Sequence, residues 1–318
     1  MKHKPTDNNL LGFSLSLFTA ILWGLLPVSL KLVLEVLDST SITAARFLFS
    51  GFFVFLFLFV TKRLPKLKIE PKKIIVSILL VSLGLSANYI FYVKGLAHLT
   101  PEAAQVLIQI APFIFMLLSC LIFKEKLTLY EILGACILFV GLILFFNDRI
   151  ALLISGQAGE NIGILFILCA SLGWSIYALF QKGLLSHFSS QQIMLYVYLI
   201  GALIYFPFSE VSDLAKMNSL QIYALIFACA NTLFGYGAFA EALQHWPAYK
   251  VAAVTALAPL FTFIGMIFAV EIWPTHFVSS DLNQYAYLGG ILVIIGSLAA
   301  SLGKLKKAAP PIKTAEVS

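Results

Sequence analysis

The chain has 318 residues, of which 60% are hydrophobic and only 11% charged, and its net charge is +6. Because soluble globular domains carry about 25% charged residues, this composition excludes an ordinary water-soluble protein. The basic residues fall in loops and tails and form no stripe with aromatic residues, which argues against nucleic-acid binding. Apolar runs of about 20 residues predict an all-α polytopic membrane protein whose surroundings are the lipid bilayer.

Ten of these runs are expected to cross the membrane as helices. They cover about residues 11–33, 41–61, 74–96, 102–123, 128–146, 161–183, 189–208, 220–243, 248–270 and 285–303. A tail of residues 1–10 precedes them and a tail of residues 304–318 follows them. No connection between the spans is long enough for a soluble domain, and an even number of spans leaves both termini on the same side.

The basic residues predict which side holds the termini. Sixteen of the 21 lysines and arginines fall on the side of the two tails, six of them in the segment TKRLPKLKIEPKK. Cytoplasmic loops of membrane proteins carry the excess of lysine and arginine. We therefore expect a multi-pass protein of the cell (inner) membrane with the N- and C-termini in the cytoplasm.

Landmarks of the first half of the chain recur in the second half. Gly12, Trp23 and Lys31 recur 151 residues later as Gly163, Trp174 and Lys182, and Tyr89 and Ala111-Pro112 recur 147 residues later as Tyr236 and Ala258-Pro259. These matches predict two repeats of five spans, residues 11–146 and 161–303. An odd number of spans inverts the second repeat, and inverted repeats are typical of secondary transporters with a site near the midplane. Pro112 and Pro259 are expected to kink corresponding spans.

Several segments carry a characteristic order of small, apolar and acidic residues. In the first half they are ILWGLLPVSLK, AARFLFSG and IAPFIFMLLSCLIFKEKLTLYEILGACILFVGLILFF, and in the second half LAPLFTFIGMIFAVEIWPT and YLGGILVIIGSLAAS. Over about residues 10–303 the chain thus resembles the EamA family of the drug/metabolite transporter (DMT) superfamily. The resemblance implies ten spans, a central cavity lined by spans 1, 3, 4, 6, 8 and 9, and transport of small metabolites, and it leaves the substrate open.

Polar and aromatic side chains within the spans are candidates for the substrate site, because such groups usually face protein or a water-filled cavity. The candidates are Trp23, Asn88, Tyr89, Tyr92, Gln105, Gln109, Trp174, Tyr177, Asn231 and Tyr236. Trp23 and Trp174 occupy matching mid-span positions and offer flat faces for stacking. The alternative for the polar residues is hydrogen bonding between helices, and for the two tryptophans it is tight packing beside Gly24 and Ser175.

Five charged residues are candidates for gating or charge steering. They are Arg46, within the second span, and Lys94, Glu102, Glu241 and Lys250, which bracket short turns. For Arg46 the alternatives are snorkelling to the outer interface and pairing with Asp38. For the other four the alternative is a solvated helix end.

These patterns predict a secondary transporter, expected to export amino-acid-like or other small amphipathic solutes by alternating access. The sequence has no GxxxxGK[ST] motif, which argues against ATP-driven transport by this chain alone. A multidrug exporter is the alternative, and a membrane-embedded enzyme a remote one. We expect no enzymatic activity, cofactor or metal ion, and a small-molecule substrate with no nucleic-acid partner. The glycine faces of spans 5 and 10 leave a monomer and a homodimer both open.

Overall fold

The protein is built of α-helices in a computed structural model that describes residues 9–65, 71–111, 114–115, 118, 128–147, 158–185, 187–246, 248–278 and 282–302. In these residues the helices are α1 (Asn9–Val33), α2 (Ser39–Val60), α3 (Lys72–His98), α4 (Pro101–Leu107), α5 (Leu129–Phe145), α6 (Ala158–Leu184), α7 (Ser190–Tyr205), α8 (Ser219–His245), α9 (Ala248–Thr255), α10 (Ala258–Ile272) and α11 (Gln284–Leu302). Pro112 and the side chain of Lys250, both predicted to serve transport, lie outside the described residues.

Among the described residues, six helices are long and apolar enough to cross a membrane, namely α1, α2, α3, α6, α7 and α8. They coincide with the predicted spans 1, 2, 3, 6, 7 and 8, and their ends differ from the predicted ends by a few residues. The helices α5, α10 and α11 contain apolar stretches that are shorter. The all-α, multi-pass class predicted from composition is therefore confirmed, whereas the full set of ten spans remains a prediction.

Polar residues fix where the membrane helices begin. The carboxylate of Asp38 accepts hydrogen bonds from the backbone N–H groups of Thr40 and Ser41 at the start of α2, at 2.8 and 3.1 Å. Ser189 and Asn218 form capping boxes at the starts of α7 and α8. Burial acts to raise the pKa of Asp38, but the hydrogen bonds from Ser41 and Thr40 outweigh it and hold the pKa below its ordinary value of 3.8.

The contact between α5 and α11 is made by glycines, which let the two backbones approach closely. Gly141 lies against Gly289, and a Cβ atom added to Gly141 would meet the Gly289 carbonyl oxygen at 2.8 Å. A Cβ atom added to Gly296 would meet the Gly134 carbonyl oxygen at 2.7 Å. The glycine faces of predicted spans 5 and 10 therefore pack within one chain. The other most extensive helix contacts are α3 with α6 and α1 with α8.

The helices of the predicted spans 4 and 9 are interrupted at their middle. After α4 ends at Leu107, the chain continues as a 3₁₀ segment, Ile108–Ile110. Two turn residues separate the end of α9 at Thr255 from the start of α10 at Ala258, and Pro259 lies in the first turn of α10. Proline lacks the N–H group that would continue a helix, but it fits the first helical turn. The interruption in span 9 therefore falls directly before its proline.

Candidate functional site

Four of the predicted site residues form an aromatic cluster between α1, α3, α6 and α8. Tyr236 lies at its centre, with its ring centroid 5.4 Å from that of Trp23 and 6.3 Å from those of both Tyr89 and Tyr177. Tyr89 and Tyr177 are buried, and Tyr236 and Trp23 are half-buried. Side chains from four helices thus pack against one another in the space between these helices.

Arg46 lies beside this aromatic cluster, deep within α2. Its side chain is buried, with the residue only 3% exposed, and its Nε donates a hydrogen bond of 2.9 Å to Oγ1 of Thr232 on α8. The guanidinium carbon lies 4.4 Å from the centroid of the Tyr89 ring, a cation–π distance. Arg46 therefore does not snorkel to the outer interface. It does not pair with Asp38 either, whose carboxylate caps α2.

Several buried hydroxyl groups lie on the same helix faces as Arg46 and Tyr89. In the part of the chain that the structure describes, the hydroxyls of Ser50, Ser86 and Tyr89 make no hydrogen bond, although the hydroxyls of Thr232 and Tyr236 lie near that of Tyr89. Ser50 follows Arg46 by one turn of α2, and Ser86 precedes Tyr89 by about one turn of α3. This region therefore has unused hydrogen-bonding capacity beside a buried positive charge.

Three further candidates lie at the interrupted helices. The Tyr92 hydroxyl donates a hydrogen bond of 2.9 Å to Oε1 of Gln105, which lies on α4. Gln109, within the 3₁₀ segment, donates its amide to the backbone carbonyl of Ala256 between α9 and α10, at 3.1 Å. All three side chains are buried. Gln105 thus joins α4 to α3, and Gln109 satisfies a backbone carbonyl at the break before α10.

The two asparagines connect neighbouring helices. The Asn88 amide on α3 donates a hydrogen bond of 2.9 Å to the carbonyl of Ala170 on α6. The Asn231 amide on α8 donates to the carbonyl of Leu22 on α1. Both contacts are hydrogen bonds between helices, which is the alternative to substrate binding that was expected for these residues.

Trp174 lies outside the set of ring contacts that defines the aromatic cluster. Its ring meets that of Phe115 edge to face, with 6.4 Å between the centroids. The adjacent Ser175 donates a hydrogen bond of 2.9 Å to the carbonyl of Ala111. Trp23 and Trp174, which recur in the sequence, therefore have different aromatic neighbours.

The predicted gating residues other than Arg46 lie towards the helix ends. Nζ of Lys94 lies 5.9 Å from the centroid of the Phe166 ring. Glu102 is buried and interacts electrostatically with Lys31. Glu241 lies one turn before His245 in α8, with 3.2 Å between Oε1 and Nε2. The side chain of Lys250 lies outside the described residues, so its role in gating or charge steering stays a prediction.

Two groups of residues that help to form the site were not predicted from the sequence. Thr232 accepts the hydrogen bond from Arg46. Phe47 packs against Tyr89 with 4.8 Å between the ring centroids, and Tyr198 packs against Phe47 with 5.8 Å between them. The repeat offset of 151 residues relates Phe47 to Tyr198 and would have indicated this pair.

A polar cluster around Glu35, just after α1, was not predicted either. Glu35 follows α1, and its carboxylate oxygens both lie 2.9 Å from Nδ1 of His276. The Gln221 amide donates to the same carboxylate at 2.9 Å. These contacts join the α1–α2 turn, the start of α8 and the segment after α10. No periodicity of the sequence indicates them, since the three residues come from separate connections.

The chain is similar in sequence to a family of known proteins. The profile of the EamA-like transporter family matches residues 10–147 and again residues 161–302. The chain belongs to the EamA-like transporter family. The resemblance stated from the sequence is thereby confirmed, and so is membership of a family of membrane transporters.

Relatives of this EamA-like protein cover nearly its whole length. A Haemophilus influenzae protein named "Uncharacterized transporter" is 35% identical over 303 residues, which are 95% of this chain and 97% of the relative. An Escherichia coli (strain K12) protein named "Uncharacterized inner membrane transporter YhbE" is 35% identical over 294 residues, 92% of each chain. A further protein of that strain, named "Probable amino-acid metabolite efflux pump", is 22% identical over 298 residues, with 89% of this chain and 92% of the relative covered.

A solved crystal structure has a similar fold. It superimposes on the EamA-like protein with a TM-score of 0.62 at 14% sequence identity, and the match covers 94% of this chain and 99% of the other. At this identity the likeness concerns the fold alone. The path of the helices is therefore shared with a known protein over most of its length.

Proposed function

We propose that this EamA-like protein is a secondary transporter that exports amino-acid-like or other small amphipathic metabolites by alternating access around the aromatic cluster. The observation that carries the proposal is the meeting of Trp23, Tyr89, Tyr177 and Tyr236 from four helices, with a buried arginine beside them. Aromatic faces next to one charged group suit a small molecule with an apolar part and a polar part. The name of the efflux-pump relative supports export of amino-acid metabolites.

Contacts between residues related by the repeat offsets support two inverted repeats of five spans, residues 11–146 and 161–303. Phe47 and Tyr198, 151 positions apart, pack with 5.8 Å between their ring centroids. Gln109 and Ala256, 147 positions apart, are joined by a hydrogen bond of 3.1 Å. In a two-fold arrangement a residue touches its own counterpart only near the axis. Both contacts therefore agree with a pseudo-two-fold axis between the halves.

Reciprocal contacts away from that axis support the same arrangement. A Cβ atom added to Gly12 of α1 would meet Cγ of Trp246, at the end of α8, at 2.5 Å. A Cβ atom added to Gly163 of α6 would meet Cγ of Leu99, at the end of α3, at 2.8 Å. The offsets of 151 and 147 residues relate these two contacts. Two similar halves that exchange their conformations would open the site to one side and then to the other.

The charge distribution supports an orientation in the inner membrane with both termini in the cytoplasm. Sixteen of the 21 basic residues lie on that side by the predicted topology. The printed name of the YhbE relative supports the inner membrane as the location. In this orientation Glu35 and His276 lie on the outer side, and the Glu35–His276 contact is proposed to help close the outer mouth.

Transport is tested with the purified protein in proteoliposomes that contain labelled amino acids, with and without a pH gradient. We expect amino-acid efflux, and the gradient shows whether protons are coupled to it. If a broad panel of metabolites stays inside while the protein is folded, the proposal is wrong. Efflux of cationic dyes without efflux of amino acids would favour the multidrug exporter instead.

The role of the aromatic cluster is tested by Trp23→Ala, with Trp246→Ala as the control. Trp246 packs against Phe13 and Gly12, away from the cluster. Both substitutions remove a large ring and should lower the melting temperature. Only Trp23→Ala should lower the transport rate of the folded protein, by at least about 10-fold. Equal transport losses in the two variants would assign Trp23 to packing.

A further inference from the structure

We propose that Arg46 binds the carboxylate of the transported solute, so that the substrates of this protein are small monocarboxylates with an apolar or aromatic body. The proposal rests on the proposed function, because it names the substrate class of the same transport site. It also predicts that Arg46 binds a carboxylate, which a transport measurement alone does not test.

The first step is that the charge of Arg46 is left without a counter-charge. A guanidinium group keeps its proton at all physiological pH values, so burial cannot neutralise it. Arg46 is 3% exposed and lies within a helix that is apolar enough to span the membrane. In the residues that the structure describes, no carboxylate lies within ion-pair distance of it. A buried, unpaired charge is costly, so a bound anion would stabilise this site.

The second step is that the guanidinium has donors to spare. Only Nε is used, in the hydrogen bond to Thr232. Within the described parts of the chain the two terminal amino groups of Arg46 make no hydrogen bond. These groups form the planar pair that binds a carboxylate through two parallel hydrogen bonds. The Ser50 hydroxyl, one turn after Arg46 on the same face of α2, is a further donor without a partner among the described residues.

The third step is the match in charge. One arginine neutralises one carboxylate, whereas a doubly charged phosphate would leave a buried negative charge. The repeat supplies no second cation, because the offset of 151 residues relates Arg46 to Val197, which is fully buried and apolar. The same isolated positive charge repels cations. A monocarboxylate is therefore the anion that the site accepts at least cost.

The fourth step is the direction in which the rest of the solute would extend. Arg46 stacks on Tyr89 at 4.4 Å, Tyr89 stacks on Tyr236 at 6.3 Å, and Tyr236 lies 5.4 Å from Trp23. The aromatic cluster thus leads away from the guanidinium. A solute with its carboxylate on Arg46 would place its apolar body among these rings, once helix movement separates them.

The test compares pairs of solutes that differ only in the carboxylate. Wild-type protein in proteoliposomes is given L-phenylalanine or L-phenylalaninamide, and 3-phenylpropionate or phenethylamine. We expect transport of both carboxylates. The uptake rates of the amide and of the amine should be at least about 30-fold lower, because loss of a buried charge pair has an effect of about this size. Equal transport of phenethylamine and 3-phenylpropionate would overturn the role of Arg46 while the transport function stands.

Two substitutions with a control then assign the effect to this residue. Arg46→Gln should abolish the preference for phenylalanine over its amide, and Arg46→Lys, which keeps the charge, should retain part of it. Lys73→Gln removes an exposed cation at the start of α3 and should leave the preference unchanged. If Arg46→Gln keeps the full preference, the proposal is wrong. If Arg46→Gln does not fold, the wild-type solute pairs and Arg46→Lys decide.

A binding measurement separates this proposal from the proposed function. If no probe is transported, the proposed function fails, and the melting temperature of the wild-type protein is measured with 3-phenylpropionate and with 3-phenylpropionamide. A ligand that binds only the folded state raises its stability. Stabilisation by the carboxylate alone would support an anion site at Arg46. Equal stabilisation by both compounds, or by neither, would overturn it.

Discussion

The side-chain amide of Gln109 donates a hydrogen bond of 3.1 Å to the backbone carbonyl of Ala256. In a continuous helix this carbonyl would accept from the N–H of Leu260, but that N–H bonds to Leu257 instead, at 3.0 Å. The break before α10 therefore leaves a buried acceptor, and a residue from the 3₁₀ segment after α4 satisfies it. The interruption in predicted span 9 is thus stabilised by a side chain from the interruption in predicted span 4.

Gln109→Leu should lower the free energy of unfolding by about 1–3 kcal/mol, because the Ala256 carbonyl would stay buried without a partner. Thermal or denaturant unfolding in detergent measures the change. Gln191→Leu is the control, since Gln191 is partly exposed and makes no hydrogen bond within the described residues. The control should change stability by less than about 0.5 kcal/mol. Similar losses in the two variants would show that the Gln109 contact contributes nothing specific.

Gly289→Ala should destabilise the protein by about 1–3 kcal/mol, because its Cβ atom would lie 2.6 Å from the Gly141 carbonyl oxygen of α5. The matched control is Gly237→Ala in α8, where an added Cβ atom meets no atom within 4 Å. Alanine favours the helix over glycine, so the control should be neutral or stabilising by up to about 1 kcal/mol. Melting temperatures of the two variants give the comparison. A stable Gly289→Ala protein would contradict the close α5–α11 contact.

The helices, and the small residues at the contacts between helices, could be predicted from the sequence. Hydropathy depends on local composition, and the glycine faces of the predicted spans 5 and 10, which include Gly141 and Gly289, stand out because glycine is the smallest residue in these apolar segments. The partner of Arg46 could not be predicted in this way. Thr232 is 186 positions away, and the contact depends on how α2 and α8 are rotated about their axes, which hydropathy does not specify. For the same reason the aromatic cluster includes Trp23 and leaves Trp174 outside.

Asp38→Ala should cost about 1 kcal/mol at neutral pH, because it removes the N-cap of α2. The pKa of Asp38 lies below its ordinary value of 3.8 in the folded protein, so the charged form stabilises the fold. This contribution is fully present above about pH 4 and is lost as the pH falls through the folded-state pKa. Unfolding measured from pH 7 down to pH 3 shows the loss.

Asp38→Asn is the matched control for this acid dependence. Asparagine is as good an N-cap as aspartate but has no carboxyl group to titrate. We expect Asp38→Asn to keep most of the stability at pH 7 and to lack the part of the acid loss that Asp38 contributes. If the Asn and Ala variants are equally unstable at pH 7, the cap hydrogen bonds are not the source of the stabilisation.

Lys31→Met should lower the free energy of unfolding by about 1–2 kcal/mol. Nζ of Lys31 donates hydrogen bonds of 2.9 Å to the carbonyls of Leu96 and Leu99, so it caps the C-terminal end of α3. Lys94→Met is the control, because Lys94 has only a distant ring contact at 5.9 Å, and its loss should cost less than about 0.5 kcal/mol. Denaturant unfolding of both variants tests the difference, which disappears if the Lys31 cap is unimportant.

The glycine contact between α5 and α11 has a consequence for biosynthesis. About 150 residues separate Gly141 from Gly289, and at about 5–20 residues per second the ribosome needs on the order of 10 s to make them. During this time the glycine face of α5 lacks its contact with α11. If both helices cross the membrane as predicted, we expect a chain truncated before α11 to present this face of α5 to quality control or to a neighbouring copy.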